Sequence, residues 1–461
     1  MVEISQETLS FLTDLLGADR VSTRSADLQQ HSEDESQHAG HLPDVIVWPK
    51  TTQEVSAILA HANEQRIPVT PWGGGSSLAG NPIPMHGGIV LDTFQMNQIL
   101  EIREADLQVV VQPGVIYDEL NKKLARYGLF IAVSPGSSAV ATIGGMVANN
   151  SSGMHAGRYG ATKENVLQLE VVLPTGEIMR MGRAVPKCSS GYDLVRLFVG
   201  SEGTLGVATE ITMRLRIRPE QMAAVAVFPS IEAAADAIFA INRFGPTPAA
   251  LEWMDPVIMQ VVNKWVNGSY AEMPTLVMDF HGLPDGIAEE VRLIEETCRD
   301  AGCISFESGL LAEERDRLWH ARREVHHAVV AARGGAKGEV GDVVVPNSRY
   351  VEAVQRAYAL ASEMGVRVAT FGHVGDGNIH LTLLFDKENI DEQRILEKFT
   401  HDYILWVIGI GGTCTGEHGI GVEKRQYVRV EHGASLDLMM RLKKWIDPHG
   451  IMNPGKIFPE E

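Results

Sequence analysis

Hydrophobic and polar positions in the first half of the chain alternate between short strands and amphipathic helices. Residues 45–48 form an apolar run that predicts a strand, and the leucines of residues 5–16 share one helical face. Thr51 and Glu54 have the spacing of a capping box, which predicts that a helix begins there. This part of the chain is therefore predicted to be a mixed helix-and-sheet domain.

After Pro219 the pattern changes to strands that alternate with longer helices. The predicted strands are 223–228, 249–253, 275–280, 304–307 and 342–345, and the predicted helices are 231–243, 287–301, 311–332 and 349–364. This alternation is typical of an α+β domain with an antiparallel sheet and helices on one face. The sequence therefore predicts a domain boundary near Pro219.

Composition and charge restrict the classes of function. The formal net charge of −19 disfavours nucleic acids and anionic membrane surfaces as partners. The four cysteines form no CxxC pair, which favours a reducing compartment. The first residues lack the basic stretch of a secretory signal, and no apolar stretch approaches the ~18 residues of a membrane span. We expect a cytoplasmic protein without a transmembrane span, and peripheral membrane contact stays open.

A glycine-rich loop, PWGGGSSLAGNP, occupies residues 71–82 after a short apolar run. Gly73, Gly74 and Gly75 let the backbone approach a ligand closely, and successive N–H groups in such a loop form an anion nest suited to a pyrophosphate. The loop lacks the Lys-Ser/Thr ending of a P-loop and the last glycine of a Rossmann fingerprint. It is therefore either a phosphate cradle of another fold or a flexible turn.

Two further segments are rich in small residues. Residues 134–160 are too long, and too rich in Gly, Ser and Asn, for a simple turn, and residues 200–206 read GSEGTLG. Such composition suggests backbone that lies against a ligand. Both segments are therefore candidates for ligand binding.

Residues 373–380, HVGDGNIH, place two histidines on either side of a tight turn. The turn lies between two apolar strands, so His373 and His380 are expected to be close in space. Two imidazoles that converge on a turn suit a divalent metal. The alternative is a structural role for each histidine.

Residues 413–421, TCTGEHGIG, bracket an acidic residue and a histidine with glycines. Glu417 could complete a His-His-carboxylate metal site with an open position for substrate. His418 would then be left as a general base, because its ordinary pKa of ~6.5 suits that role. An arginine of the predicted helix over 318–324, which carries Arg322 and Arg323, could bind a substrate carboxylate, although most such arginines are simply solvated.

The chain resembles the vanillyl-alcohol-oxidase-like flavoproteins. The motifs that carry the resemblance are the three glycine clusters, HVGDGNIH, GEHGIG and the NPGK of residues 453–456. The resemblance is to the branch of D-lactate dehydrogenases, glycolate oxidase catalytic subunits and D-2-hydroxyglutarate dehydrogenases, with all motifs in the family's order. It implies an α+β fold with a two-subdomain FAD-binding domain, residues 1–218 with 425–461 returning to it. An α+β cap domain with an antiparallel sheet would occupy residues 219–424.

The resemblance also implies which residues bind FAD. Residues 73–77 would hold the pyrophosphate, and Glu202, Gly203, Gly206 and Val207 would hold the adenine and ribose side. The full set of expected cofactor residues is Trp72, Gly73, Gly74, Gly75, Ser76, Ser77, Gly80, Asn81, Pro135, Gly136, Ser137, Thr142, Gly144, Gly145, Asn149, Ser152, Gly153, Tyr159, Glu202, Gly203, Gly206, Val207 and Asn453.

The same resemblance implies a metal site and catalytic residues. The expected ligands of a divalent zinc, manganese or iron ion are His373, His380 and Glu417. The expected catalytic residues are His418 as the base, Arg322 as the carboxylate-binding arginine with Arg323 as the fallback, and Asn378 as a contact to metal or substrate.

Two departures from the family change what is expected. Some relatives link FAD covalently through a histidine in the first glycine loop, and this loop has none, so FAD is expected to be bound non-covalently. D-2-hydroxyglutarate enzymes carry a lysine two residues before the aspartate that matches Asp342. Val340 stands at that position, which counts against a second substrate carboxylate.

The resemblance implies oxidation of a small D-2-hydroxy acid, D-lactate or glycolate first, to the 2-keto acid by hydride transfer to flavin. D-2-hydroxyglutarate is the alternative substrate. Electrons would pass to a quinone, a cytochrome or an electron-transfer flavoprotein, and a homodimer is left open. A divalent-metal hydrolase would leave the glycine clusters unexplained, and a non-catalytic FAD-binding subunit would be expected to lack the metal-site motifs.

Overall fold

The computed structural model describes residues 4–333, 341–384 and 390–459, and the chain forms two compact units. The first unit comprises Met1–Gly153, Gly160–Arg218 and Glu417–Glu461. The second unit comprises Met154–Tyr159 and Pro219–Gly416. Each unit has its own sheets and its own hydrophobic core.

The first unit is built on two main sheets. Its strands are β1 (Val21–Ser22), β2 (Val45–Val47), β3 (Val69–Trp72), β4 (Ile89–Asp92), β5 (Ile99–Arg103), β6 (Gln108–Val111), β7 (Leu129–Phe130), β8 (Val166–Val172), β9 (Ile178–Gly182), β10 (Val207–Arg214) and β11 (Arg216–Ile217). One sheet has the order β1-β2-β4-β3, with β2 and β3 parallel to β4. The other is antiparallel, with the order β5-β6-β10-β8-β9.

The second unit is built on one seven-stranded sheet. Its strands are β12 (Glu220–Val227), β13 (Ala250–Met254), β14 (Thr275–Gly282), β15 (Ser305–Gly309), β16 (Gly341–Val344), β17 (Arg367–His373) and β18 (Asn378–Leu384). The order is β15-β12-β14-β13-β17-β18-β16, and every neighbouring pair is antiparallel. The predicted antiparallel sheet is confirmed.

Helices connect and cover these strands. In chain order they are α1 (Gln6–Leu16), α2 (Ser25–Gln30), α3 (Thr52–Gln65), α4 (Tyr117–Leu124), α5 (Ile143–Asn149), α6 (Ala156–Tyr159), α7 (Thr162–Asn165), α8 (Leu194–Phe198), α9 (Ile231–Phe244), α10 (Pro256–Val266), α11 (Pro284–Asp300), α12 (Ala312–Arg323), α13 (Val325–Ala332), α14 (Tyr350–Met364), α15 (Ile390–Gly409), α16 (Arg425–His432) and α17 (Ser435–Ile446). α6 and α9–α15 lie in the second unit, and the others lie in the first.

Local sequence signals explain where several helices begin. The predicted capping box at α3 is confirmed, because Thr51 accepts from the Glu54 N–H and the Glu54 carboxylate accepts from the Thr51 N–H. The predicted helix over 311–332 is wrong in one respect, since it divides at Glu324 into α12 and α13. α10, α15 and α16 were not predicted, although Asp-Pro at the start of α10 is a recognisable cap signal.

The units differ from the predicted domain ranges at two short segments. Residues 154–159 belong to the second unit, where Arg158 donates to a backbone carbonyl before β13. Residues 417–424 belong to the first unit, where the buried Glu202 carboxylate accepts two of their backbone N–H groups. Each segment therefore lies with the unit that satisfies its hydrogen bonds.

Asp255 is the buried N-cap of α10 and ties that helix to β17. Its carboxylate accepts hydrogen bonds from the N–H groups of Ile258 and Thr370, each at 2.6 Å. It also accepts from the hydroxyls of Thr370 at 3.0 Å and Tyr358 at 2.5 Å. Since the side chain is fully buried, removing it leaves several donors without water to replace it.

We expect Asp255→Ala to lower the free energy of unfolding by about 3 kcal/mol or more, because several buried donors lose their acceptor. Ser230→Ala is the matched control, since Ser230 caps α9 through one hydrogen bond and should cost about 1 kcal/mol. Urea unfolding of the full chain measures both values. Equal losses in the two variants would contradict the role given to Asp255.

Candidate functional site

A cleft in the first unit is bordered by all three glycine-rich segments. Apolar side chains of the five-stranded sheet and of α8, including Leu169, Val171 and Phe198, form part of its wall. The predicted cofactor residues on its lining are Trp72, Gly73, Gly144, Gly145, Gly203, Gly206 and Val207. The cleft therefore offers backbone and apolar surface of the kind that holds a dinucleotide.

The first glycine loop packs tightly against the second glycine-rich segment. A Cβ on Gly74 would lie 2.3 Å from the carbonyl oxygen of Val140, and a Cβ on Gly73 would lie 2.7 Å from Oγ1 of Thr142. Neither distance leaves room for a side chain. The loop is therefore a packed element of the cleft and not a flexible turn.

Glu202 lies at the centre of a hydrogen-bond network in the first unit. Its carboxylate accepts from Nδ2 of Asn81 at 2.7 Å and from the N–H groups of Ile420 at 2.7 Å and Gly421 at 2.9 Å. Burial raises the pKa of Glu202 above its ordinary value. Nδ2 of Asn453 donates to the Glu202 carbonyl at 2.7 Å. These side chains hold the segment after Glu417, and their contact with FAD stays a prediction.

The remaining predicted cofactor residues divide between the two units. Those of the first unit lie on loops or at the ends of α5: Gly75, Ser76, Ser77, Gly80, Pro135, Gly136, Ser137, Thr142, Asn149, Ser152 and Gly153. The hydroxyl of Ser76 donates to that of Ser137 at 3.1 Å, which joins two of these loops. Tyr159 lies in the second unit, where its hydroxyl is 3.0 Å from Nδ1 of His281.

Glu417 is held by residues that were expected to line FAD. Oε2 of Glu417 accepts from the N–H of Gly153 at 2.8 Å and from the hydroxyl of Ser152 at 3.3 Å. Nδ2 of Asn149 donates to the Glu417 carbonyl at 2.8 Å. All four residues belong to the first unit. His418, the residue after Glu417, lies in the same unit and is half-buried. The carboxylate is therefore oriented by two donors on one oxygen.

His373 and His380 lie together in the second unit, as the turn predicted. His373 ends β17 and His380 lies on β18, with ring centroids 5.3 Å apart and ring planes at 87°. Nδ1 of His373 is 2.7 Å from Oε1 of Glu252. Because a carboxylate only accepts, the hydrogen of this contact lies on Nδ1, so Nε2 is the nitrogen of His373 that could bind a metal.

Glu252 is a fully buried carboxylate that joins His373 to Arg322. Nε and Nη2 of Arg322 both lie 2.8 Å from Oε2 of Glu252. Burial by itself would raise the pKa of Glu252, but the neighbouring His373 and Arg322 charges lower it below its ordinary value. The carboxylate is therefore ionised, and it fixes both neighbours.

Arg322 keeps donors for a further anion. Its guanidinium has five N–H donors, of which the Nε–H and one on Nη2 face Glu252. The group also stacks over the ring of Phe371, 5.3 Å from the centroid. Arg323, the fallback, is exposed and pairs with Asp316. Arg322 is the better placed of the two to bind a substrate carboxylate.

Asn378 is fixed by a second buried carboxylate. Its Nδ2 donates to Oδ1 of Asp342 at 2.7 Å and to the Val343 carbonyl at 3.1 Å. Within the described part of the chain, Oδ1 of Asn378 is buried without a hydrogen-bond partner. Asp342 also accepts from Thr415 at 2.8 Å and from the N–H of Gly416 at 2.9 Å. The amide oxygen of Asn378 is therefore held ready for a ligand.

The donors fit the two groups that the sequence implies. Two imidazoles, one with its tautomer set by a carboxylate, suit a divalent cation such as zinc, manganese or iron. The cleft of the first unit suits FAD, since its glycines permit close backbone approach. Glu417 belongs to the first unit, so the complete triad with His373 and His380 stays a prediction from the sequence.

Sequence reasoning missed Glu252 and Asp342. Each is an acidic residue within an otherwise apolar strand, and both are completely buried. That contrast was a readable signal, because a buried carboxylate requires partners. The partners themselves could not be read from the sequence, because they lie far along the chain.

No described helix combines the length and the apolar composition needed to cross a membrane. Val340, which replaces a lysine of the D-2-hydroxyglutarate enzymes, lies outside the described residues.

Comparison with known proteins identifies the family. Residues 43–182 match the family described as FAD binding domain, and residues 217–457 match the one described as FAD linked oxidases, C-terminal domain. The chain is 39% identical to a probable mitochondrial D-lactate dehydrogenase of Danio rerio, over 98% of this chain and 92% of that protein. It is 35% identical to the glycolate oxidase subunit GlcD of Bacillus subtilis, over 99% and 98% of the two chains.

A solved structure supports the same assignment at the level of fold. The structure of p-cresol methylhydroxylase with substrate bound aligns with a TM-score of 0.81 at 16% identity, over 98% of this chain and 97% of that one. Family matches therefore extend over both halves of the chain, and the fold agrees with them. The chain belongs to the FAD-linked oxidases and has the fold of the vanillyl-alcohol-oxidase-type flavoproteins.

Proposed function

We propose that this protein is an FAD-dependent dehydrogenase that oxidises a D-2-hydroxy acid, D-lactate or glycolate, to the 2-keto acid. The observation that carries the proposal is the buried Glu252, which orients both an imidazole and a guanidinium in a chain of this family. Relatives named D-lactate dehydrogenase and glycolate oxidase subunit support the substrate class. The hydrolase alternative is dropped, because both halves of the chain match FAD-associated families.

His373, His380 and Glu417 would hold the divalent metal. A bound cation lowers the pKa of a coordinated hydroxyl. Glu252 keeps Nε2 of His373 available as a ligand, and Gly153 and Ser152 orient the Glu417 carboxylate. The second unit thus orients His373 and the first unit orients Glu417 before an ion binds.

Arg322, His418 and Asn378 would bind and deprotonate the substrate. Arg322 binds the carboxylate through the guanidinium donors that Glu252 leaves available. His418 accepts the hydroxyl proton on a ring nitrogen, which suits an imidazole near neutral pH. Oδ1 of Asn378, held by Asp342, would contact the metal or the substrate.

The cleft of the first unit would hold FAD non-covalently, and the flavin would supply the hydride acceptor for oxidation of the substrate at Cα. Trp72, Gly145 and Val207 contribute to the lining of that cleft. A quinone, a cytochrome or an electron-transfer flavoprotein would then take the electrons.

A cytoplasmic location and a homodimer remain predictions from the sequence. D-2-hydroxyglutarate is the alternative substrate.

We expect anaerobic addition of D-lactate or glycolate to bleach the visible flavin absorbance of the purified protein, whereas L-lactate should leave it unchanged. D-2-hydroxyglutarate should bleach it more slowly, because Val340 replaces the lysine of its own enzymes. Prior treatment with a chelator should slow the bleaching. A protein that binds FAD but is bleached by none of these acids would contradict the substrate class, and a protein unable to bind FAD would contradict the whole proposal.

We expect Glu252→Gln to weaken metal binding by about 10–100-fold, because the amide no longer holds the hydrogen on Nδ1 of His373 as a carboxylate does. The kcat/KM for D-lactate should fall as well, since Arg322 loses its ionic partner. Metal titration against a chromophoric chelator and steady-state kinetics measure the two effects.

Glu307→Gln is the matched control for this variant. It breaks another Glu–Arg pair of the second unit, the exposed pair of Glu307 with Arg317. Exposed pairs contribute little, so metal affinity and kcat/KM should stay near their wild-type values. An unchanged metal affinity in Glu252→Gln would refute the positioning role of Glu252.

A further inference from the structure

A second group of metal-binding side chains lies within the second unit. This group, the His155 cluster, consists of His155, Asp279 and His281, with Tyr159 beside them. Nε2 of His155 lies 3.3 Å from Oδ2 of Asp279, and Nε2 of His281 lies 2.8 Å from the same oxygen. One donor atom from each of the three ligands lies within 4.8 Å of the other two. None of the three takes part in the reaction proposed above.

Local sequence explains why these side chains meet. Asp279 and His281 are two residues apart on β14, so they project from the same face of the sheet. His155 precedes α6 and Tyr159 ends it, which places them four residues apart on one helical face. The pairing of β14 with β12 sets Gln221 opposite His281 on that face. A strand and a short helical turn each present two members of the cluster.

Tyr159 fixes the ring of His281. Its hydroxyl lies 3.0 Å from Nδ1 of His281, which leaves Nε2 of that ring directed at Asp279. Imidazoles that bind metals typically have their other nitrogen held by a hydrogen bond in this way. Tyr159 therefore holds the ring with Nε2 on the side of Asp279, where Nε2 of Gln221 also lies 3.1 Å from it.

Burial and charge favour a cation in the cluster. The side chains of Asp279, His281 and His155 are only 13%, 1% and 15% exposed. A carboxylate buried between two imidazoles gives a divalent cation a set of donors that is shielded from water.

The spacing of the donor atoms is close to that of a metal site. Neighbouring ligand atoms around a tetrahedral zinc are about 3.3 Å apart when the bonds are about 2.0–2.1 Å long. The separation of Nε2 of His155 from Oδ2 of Asp279 already has this value, 3.3 Å. The contact of His281 with Asp279 would open by roughly 0.5 Å on binding.

We propose that the His155 cluster is a second divalent-cation site, with Nε2 of His155, Oδ2 of Asp279 and Nε2 of His281 as ligands. Two imidazoles and one carboxylate suit an ion of intermediate softness such as Zn²⁺. The bound ion fixes residues 154–159 against β14. The site shares no ligand with the predicted His373, His380 and Glu417 site.

The test is the zinc stoichiometry of the full-length protein. The double variant His373→Gln/His380→Gln lacks two ligands of the predicted first site. The purified variant is dialysed against a chelator to remove metal and is then titrated with Zn²⁺ alone. We expect one zinc per chain by elemental analysis. Adding His281→Gln to this variant should abolish that zinc. A double variant that binds no zinc, or a triple variant that still binds one, would overturn the proposal.

Two further variants control for indirect effects. The matched control adds His320→Gln, instead of His281→Gln, to the double variant. His320 is an exposed histidine of the same unit, and its Nδ1 lies 3.0 Å from a tyrosine hydroxyl, as Nδ1 of His281 does. This control should keep one zinc per chain. Tyr159→Phe tests the site if the triple variant fails to fold. It should keep the stoichiometry but weaken zinc binding about 10-fold or more, and an unchanged dissociation constant would overturn the proposal.

Discussion

The buried carboxylate of Glu252 is the interaction on which the site of the second unit depends. A charge with no solvent exposure is tolerated only when opposite charges and hydrogen bonds compensate it, and here His373 and Arg322 do so. This requirement couples β13 to β17 and to α12. It also decides which nitrogen of His373 can bind a metal and how Arg322 is aimed. The residues expected to touch metal and substrate therefore have their orientation set by one residue that is expected to touch neither.

A similar arrangement recurs at the other predicted functional segments. In the first unit the buried Glu202 holds the backbone just after His418, and Asn453 joins the C-terminal tail to it. In the second unit Asp342 holds Asn378 and the backbone of Gly416. Loops rich in glycine have little side-chain packing of their own, so buried carboxylates that accept backbone N–H groups give them a defined shape.

Features with a local cause could be predicted from the sequence. The helix cap at Thr51, the antiparallel strands after Pro219 and the proximity of His373 to His380 each follow from residues a few positions apart. The role of Glu252 could not be predicted, because its partners lie 70 and 121 residues away. Tyr159 illustrates the same limit: its contact with His281, 122 residues away, could not be predicted from the sequence, and its expected contact with FAD stays a prediction.

Anomalous diffraction from crystals grown with Mn²⁺ would test most directly whether Glu252 prepares His373 for a metal. The account predicts an anomalous peak within bonding distance of Nε2 of His373, about 2.0–2.3 Å, with Nδ1 still hydrogen-bonded to Glu252. A peak bound to Nδ1 or to the Glu252 carboxylate would contradict it. Crystals that bind Mn²⁺ elsewhere and leave His373 without an ion would also contradict this role of Glu252.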